Sequence, residues 1–181
     1  GIRWRLFHLA VLGVTLDGLR AAGCSIRSIR PLTAGDEGPS FELIDPIGRR
    51  WELWFEASGI WSSRGVRAPY AEATRGLSGN ARALGADLLL ISADRSALVI
   101  ECKYSEFREV VARNGYYQAT TYANELRSRL VKEVTSVAIG PEGVVRVPSF
   151  SETLVGMVGT APPSAIPEIV ETFLARAMTL N

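Results

Sequence analysis

The 181-residue chain contains one histidine and two cysteines. A single histidine argues against chemistry built on a histidine triad or an HNH-type nuclease site. His8 falls in a helical pattern, where an ordinary packing role is expected. Cys24 and Cys102 are too few and too far apart for a disulfide framework, and zinc needs more ligands than two thiols. Both read as small buried hydrophobes in a reducing compartment, so a cytoplasmic location is expected. No run of 18 apolar residues exists and no signal-peptide pattern opens the chain, which argues against a membrane role. There is no internal repeat and no low-complexity tract. Net charge is only +1, so no global basic field advertises nucleic acid. A local basic groove remains open, because phosphate contacts need only a handful of cationic side chains. Through Thr33 the charge is +4, from Arg3, Arg5, Arg20, Arg27 and Arg30 against Asp17; from Gly140 onward it is −2.

Hydrophobic residues make up 47% of the chain, ample for one folded domain over residues 1–181. The abrupt helical start at Gly1 suggests a piece of a longer protein. Trp4 to Ala22 has a helical period, with Leu6, Leu9, Ala10, Gly13, Leu16 and Leu19 as its apolar stripe and Gly23 as its stop. Ser25–Leu32 reads as a short strand. Phe41–Ile44 and Arg50–Ala57 read as a hairpin around Asp45-Pro46-Ile47-Gly48, with Trp51, Leu53 and Phe55 on one face and a mixed other face, which fits a sheet flank. Ser58 to Asn80 is a long Gly-, Ser- and Arg-rich loop with a turn of helix near Tyr70–Arg75. Arg64, Arg67, Arg75 and Arg82 are candidate phosphate contacts there, and Trp61 and Tyr70 candidate base-stacking surfaces; solvated loop charge is the alternative. Beyond residue 103 the pattern predicts a helix over Glu106–Arg113, broken by Asn114-Gly115, and a second over Tyr116–Leu130. Strands follow at Val134–Ile139, Val144–Val147 and Thr153–Val158, then a closing helix from Pro167 through Met178.

The chain is organised around two apolar runs, Gly85–Ile91 and Ala97–Lys103, joined by the polar Ser92-Ala93-Asp94-Arg95-Ser96. They read as a hairpin of two centrally placed strands. Asp87 opens the first strand, and Glu101 and Lys103 close the second. Ionised groups are costly to bury unless paired or bound to a metal. Side chains alternate along a strand, so Glu101 and Lys103 share a face and Cys102 points away. Folding back after Ile91 sets Asp87 beside Glu101. Two carboxylates and an amine then converge at the sheet edge. Carboxylate oxygens with open water positions suit Mg²⁺ or Mn²⁺, and the amine can stabilise a pentavalent phosphate or help deprotonate a water. A structural Asp–Lys–Glu triad tying two strands together is the other reading of the same spacing.

Asp87 followed by Glu101-x-Lys103 at the end of the next apolar strand resembles the PD-(D/E)xK nuclease superfamily. Gln118-Ala-Thr-Thr-Tyr122, in the following helical pattern, is similar to the QxxxY motif of the RecB-type and restriction-type branches. The Glu-Cys-Lys-Tyr run and Trp51–Glu56 look most like nuclease subunits of modification-dependent restriction systems. The resemblance covers residues 4 to 140 or so. It implies a restriction endonuclease-like α/β core: a central mixed sheet flanked by helices, in the order αβββαβ. One extra N-terminal strand and a C-terminal strand–helix extension over 141–181 would be added to it.

What the resemblance implies chemically is a metal-dependent DNA endonuclease from a prokaryotic defence system. Asp87, Glu101 and the backbone carbonyl of Cys102 would hold Mg²⁺ or Mn²⁺. Lys103 would position the nucleophile or the transition-state charge, and Gln118 and Tyr122, four apart on one helix face, would stand behind them. Many members carry a glutamate on the first helix; the slot assigned to it here holds Arg5. Either the site has one carboxylate fewer, or Glu56, Glu52 or Glu72 supplies it, with Glu56 the first choice. The expected partners are DNA, targeting or ATPase domains or subunits, and optionally a second copy of the chain in a homodimer. A catalytically silent DNA- or nucleotide-binding module of the same fold, and an RNA nuclease or toxin, are the competing readings.

Overall fold

A computed structural model of the chain describes residues 1–79, 81 and 83–180. One mixed sheet of eight strands runs through the molecule in the order β1-β2-β3-β4-β5-β6-β8-β7. The strands are β1 (Ser25–Ser28), β2 (Phe41–Ile44), β3 (Arg50–Phe55), β4 (Leu88–Ile91), β5 (Ser96–Cys102), β6 (Glu133–Ile139), β7 (Ser149–Thr153) and β8 (Gly156–Ala161). Pairing is antiparallel from β1 to β5, parallel from β5 through β6 to β8, and antiparallel again for β7. The parallel β5–β6 step needs a crossover, which the helix α4 (Tyr116–Arg129) supplies.

Both faces of the sheet are covered, so the central strands are apolar on both sides, as their sequences predict. Against one face lie α1 (Ile2–Ala21) and α5 (Ile166–Thr179), burying Leu43, Trp51, Leu53, Leu88, Leu90, Leu98, Ile100 and Cys102. Against the other lie α4 and two short helices, α2 (Ile60–Arg64) and α3 (Pro69–Ala73), burying Trp54, Leu89, Ile91, Ala97 and Val99. Trp54 is fully buried, and β3 lies inside the sheet between β2 and β4 rather than at its flank. Among the described residues, no helix is long and apolar enough to cross a membrane.

Several elements depart from the sequence reading. The buried face of α1 is His8, Val11, Leu12, Thr15, Gly18 and Leu19, whereas Leu6, Leu9, Ala10 and Gly13 of the expected stripe are exposed. The first strand ends at Ser28, and the segment 58–79 carries two short helices where a loop with one turn was expected. Val144–Val147 forms no strand; the C-terminal hairpin is β7–β8 instead. Asn114-Gly115 does not interrupt the helix. A turn of π-helix, Val110–Gly115, runs directly into α4. The glycine is required by close packing, because a Cβ at Gly115 would stand 2.8 Å from Ala138 Cβ and 3.4 Å from Lys103 Cγ. That approach seats the start of α4 on the ends of β5 and β6.

Candidate functional site

The charged residues of the central hairpin gather where β3, β5 and β6 end and β4 begins. In open α/β sheets, ligands bind beyond the carboxyl ends of the parallel strands, which is this end of β5 and β6. The start of β4 is tied down by the neighbouring backbone. The Asp87 carbonyl accepts the Glu56 N–H at 2.8 Å, and the Ala86 carbonyl accepts the Ala57 N–H at 2.9 Å. Gly85 lies so close to this segment that a Cβ there would come within 2.5 Å of the Ser58 nitrogen. Glu56 adopts φ 55°, ψ 74°, a left-handed conformation uncommon outside glycine. Such strain next to a candidate site is held in place by the surrounding pairing.

Leu88 faces Ile100 in the β4–β5 register, so the next position outward sets Asp87 across from Glu101. The Asp87 carboxylate oxygen Oδ2 accepts the Cys102 N–H at 2.8 Å. In an extended strand the N–H and C=O of one residue leave the same edge, so the Cys102 carbonyl is directed toward the Asp87 flank. Lys103 Nζ lies 3.9 Å from Glu101 Oε1. Asp87, Glu101 and Lys103 are therefore brought together. They do not form a closed ion triad, because Glu101 Oε2 is buried without a hydrogen-bond partner.

Glu101 is 3% exposed, and its acid dissociation is pushed well above the usual carboxylate range. Burial is the main cause, followed by the negative charge of Asp87; Lys103 opposes them more weakly. The Tyr122 phenol is also pushed up, by burial first and then by the fields of Glu101 and Asp87. Burial raises the Cys102 thiol strongly, with Asp87 and Glu101 adding to it. Gln118, one helical turn before Tyr122, is exposed.

The acids nominated to replace a first-helix glutamate fare unequally. Glu52 is held by Arg64 at 2.8 Å and by Trp54 Nε1 at 3.1 Å. Glu72 is held by Arg129 at 2.8 Å, which keeps its carboxyl below the usual range. Glu56 is exposed, with its backbone at the site. Arg5 is exposed, and the α1 residue that faces the site is His8, three positions on. His8 Nε2 lies 3.7 Å from Asp87 Oδ2, and neither ring nitrogen has a hydrogen-bond partner. Sequence reasoning took His8 for an ordinary helix residue. Its spacing of three and four from Val11 and Leu12, both buried, was the signal that could have found it.

Of the loop residues, Arg64 is engaged by Glu52, while Arg67 and Arg75 are exposed. Arg82 lies outside the described residues. Trp61 is buried in the core beside α4 and offers no stacking surface; its ring is needed to fill the space under the short helices. Tyr70 is half-buried, and its N–H donates to Glu125 Oε1 at 2.7 Å.

No protein-family model matches this sequence, and no curated protein matches it either.

Proposed function

We propose that this chain is a metal-dependent nuclease core of the PD-(D/E)xK kind that hydrolyses phosphodiester bonds in DNA. One observation carries the reading. Two carboxylates and an ammonium group converge at an open sheet end, and one carboxylate oxygen is buried there with no partner. The order α1, antiparallel β3–β4–β5, α4 and parallel β6 supports a restriction endonuclease-like core, with the β1–β2 pair and β7–β8–α5 as additions.

The residues fit a divalent oxygen-seeking cation. A structural triad would satisfy every oxygen internally, whereas Glu101 Oε2 is left orphaned beside a second acid. Asp87, Glu101 and the Cys102 carbonyl are the groups that would hold Mg²⁺ or Mn²⁺, with Glu56 at the rim. When bound, such an ion polarises the phosphodiester and acidifies the attacking water. The chain's own groups do the rest. Lys103, one of two lysines in the chain, presents an ammonium group to the charge that grows on the phosphate. Tyr122 stays protonated, so it acts as a hydrogen-bond donor next to the acids. Gln118 lies on the exposed approach, where it meets substrate rather than ion. Arg67 and Arg75 supply phosphate contacts from the segment beyond β3. By its resemblance, the domain serves a prokaryotic defence system alongside targeting or ATPase parts.

The test is a plasmid-nicking assay with Mg²⁺ and with Mn²⁺, wild type beside Lys103→Ala. Cleavage by wild type and a loss of at least a hundredfold in the variant are expected. Absence of cleavage with either ion, or an unchanged variant, refutes the reading. Single-stranded DNA and RNA in the same assay separate DNA cleavage from an RNA nuclease.

A further inference from the structure

We infer that His8, Asp87 and Cys102 form a second metal site on the α1 face of the sheet, one that selects Zn²⁺ and shares Asp87 with the hydrolytic site. Strand alternation places Cys102 opposite Glu101 and Lys103, in the core layer under α1. There a ring nitrogen of His8, a carboxylate oxygen of Asp87 and the Cys102 Sγ all lie within 4.8 Å of one another. With zinc bonds of about 2.0–2.3 Å, ligand atoms in a tetrahedral site sit about 3.5 Å apart. The His8–Asp87 pair is already at 3.7 Å, and with every pair inside 4.8 Å the set closes with shifts of about 1.3 Å at most.

The second observation is the state of His8. It is 2% exposed, yet neither ring nitrogen is hydrogen-bonded. A buried polar group without a partner is destabilising, and an ion would satisfy it. The ring is held in place by Trp4, whose centroid lies 4.1 Å away, and Asp87 is oriented by the Cys102 N–H. Imidazole and thiolate together favour zinc over magnesium, which prefers oxygen donors alone. Three protein ligands leave the fourth position to water, on the side of Asp87, the least buried of the three. On binding, the thiol proton passes to solvent.

The consequence for catalysis rests on the nuclease reading; the site itself does not. One Asp87 carboxylate cannot serve both ions in full, so zinc held by His8 and Cys102 weakens the Asp87–Glu101 site and inhibits cleavage.

The experiment uses Cys24→Ala, which leaves Cys102 as the sole thiol without touching the site. Under reducing, oxygen-free conditions, Co²⁺ replaces Zn²⁺ as a visible probe. A thiolate-to-cobalt charge-transfer band with tetrahedral d–d absorption is expected. One equivalent of Zn²⁺ should bleach it, and a hundredfold excess of Mg²⁺ should not. His8→Gln in the same background, with its fold checked by circular dichroism, should weaken Co²⁺ binding at least tenfold. Absence of the thiolate band, displacement by Mg²⁺, or a folded His8→Gln protein of unchanged affinity overturns the site. In the nicking assay, Zn²⁺ should inhibit Mg²⁺-driven cleavage, and Cys102→Ser should raise the inhibitory concentration at least tenfold. A thiolate band without any cleavage would sink the nuclease reading and leave the zinc site standing; cleavage without the band would do the reverse.

Discussion

Replacing Glu101 by glutamine tests whether its carboxylate is kept for an ion or for the fold. In the metal-free protein three contributions act on that charge. Attraction to Lys103 at 3.9 Å is about 4 kcal/mol at an effective dielectric of 20. Against it stand the desolvation of a 3% exposed carboxylate, several kcal/mol, and repulsion from Asp87. Because the acid is pushed well up, the opposing pair wins. Glutamine keeps the shape and removes the charge, so Glu101→Gln should stabilise the metal-free protein by about 1–3 kcal/mol near neutral pH. For a chain of this size that is a rise in melting temperature of about 2–12 °C. The pH dependence follows from the same sign. A raised acid favours the folded state fully below the ordinary carboxylate range, and this contribution is lost as pH climbs through the raised value. Wild type in EDTA should therefore lose stability over that climb, and the variant should lose less. Mn²⁺ at a hundred times its dissociation constant should return about 2.7 kcal/mol to wild type and under half of that to the variant. Differential scanning fluorimetry across pH, with EDTA or Mn²⁺, reads all of this. A variant less stable than wild type in EDTA, or equal metal shifts in both, would refute the reasoning.

Gly115→Ala should cost about 1–3 kcal/mol by urea denaturation, because its methyl would press on Ala138 and on the Lys103 stem. Glu56→Gly should stabilise the fold by about 0.5–1 kcal/mol in the same assay, as glycine tolerates the left-handed backbone without strain. Arg129→Ala should leave the urea midpoint essentially unchanged, because its bridge to Glu72 is solvent-exposed.

The central hairpin was legible because period-two alternation is a property of the strand alone. Asp87, Glu101 and Lys103 are placed by register within two adjacent strands, and the apolar runs left little doubt about which residues pair. The α1 contribution was not legible in the same way. Helix α1 is apolar nearly all round, with Ile2, Leu6 and Leu9 exposed on its outer side. Its period therefore carried two overlapping stripes, and the one chosen was rotated away from the sheet. That rotation assigned Arg5 to the site and passed over His8. The π-turn was hidden for a different reason. Asn-Gly is a turn signal in isolated chain, but here the packing of Gly115 against β6 keeps the helix going.

The same contrast explains where chemistry can reside in this fold. Between Ser96 and Glu101 the β4–β5 pair is apolar on both faces, so it offers a rigid floor. Charge is tolerated only at its end, where β4 has yet to begin pairing and Asp87 keeps a solvent-facing side. Each neighbour at that end is constrained by conformation or close packing. Glu56 is forced left-handed, Gly85 is pressed against Ser58, and Gly115 brings α4 onto Lys103. The acids are thereby held close together at a cost the apolar strands can bear. If the cluster were merely structural, those constraints would exist to maintain an unfavourable meeting of two carboxylates with one oxygen unsatisfied. A cation-binding role removes that contradiction, because the ion supplies the missing partner and the strained frame keeps its ligands from relaxing apart.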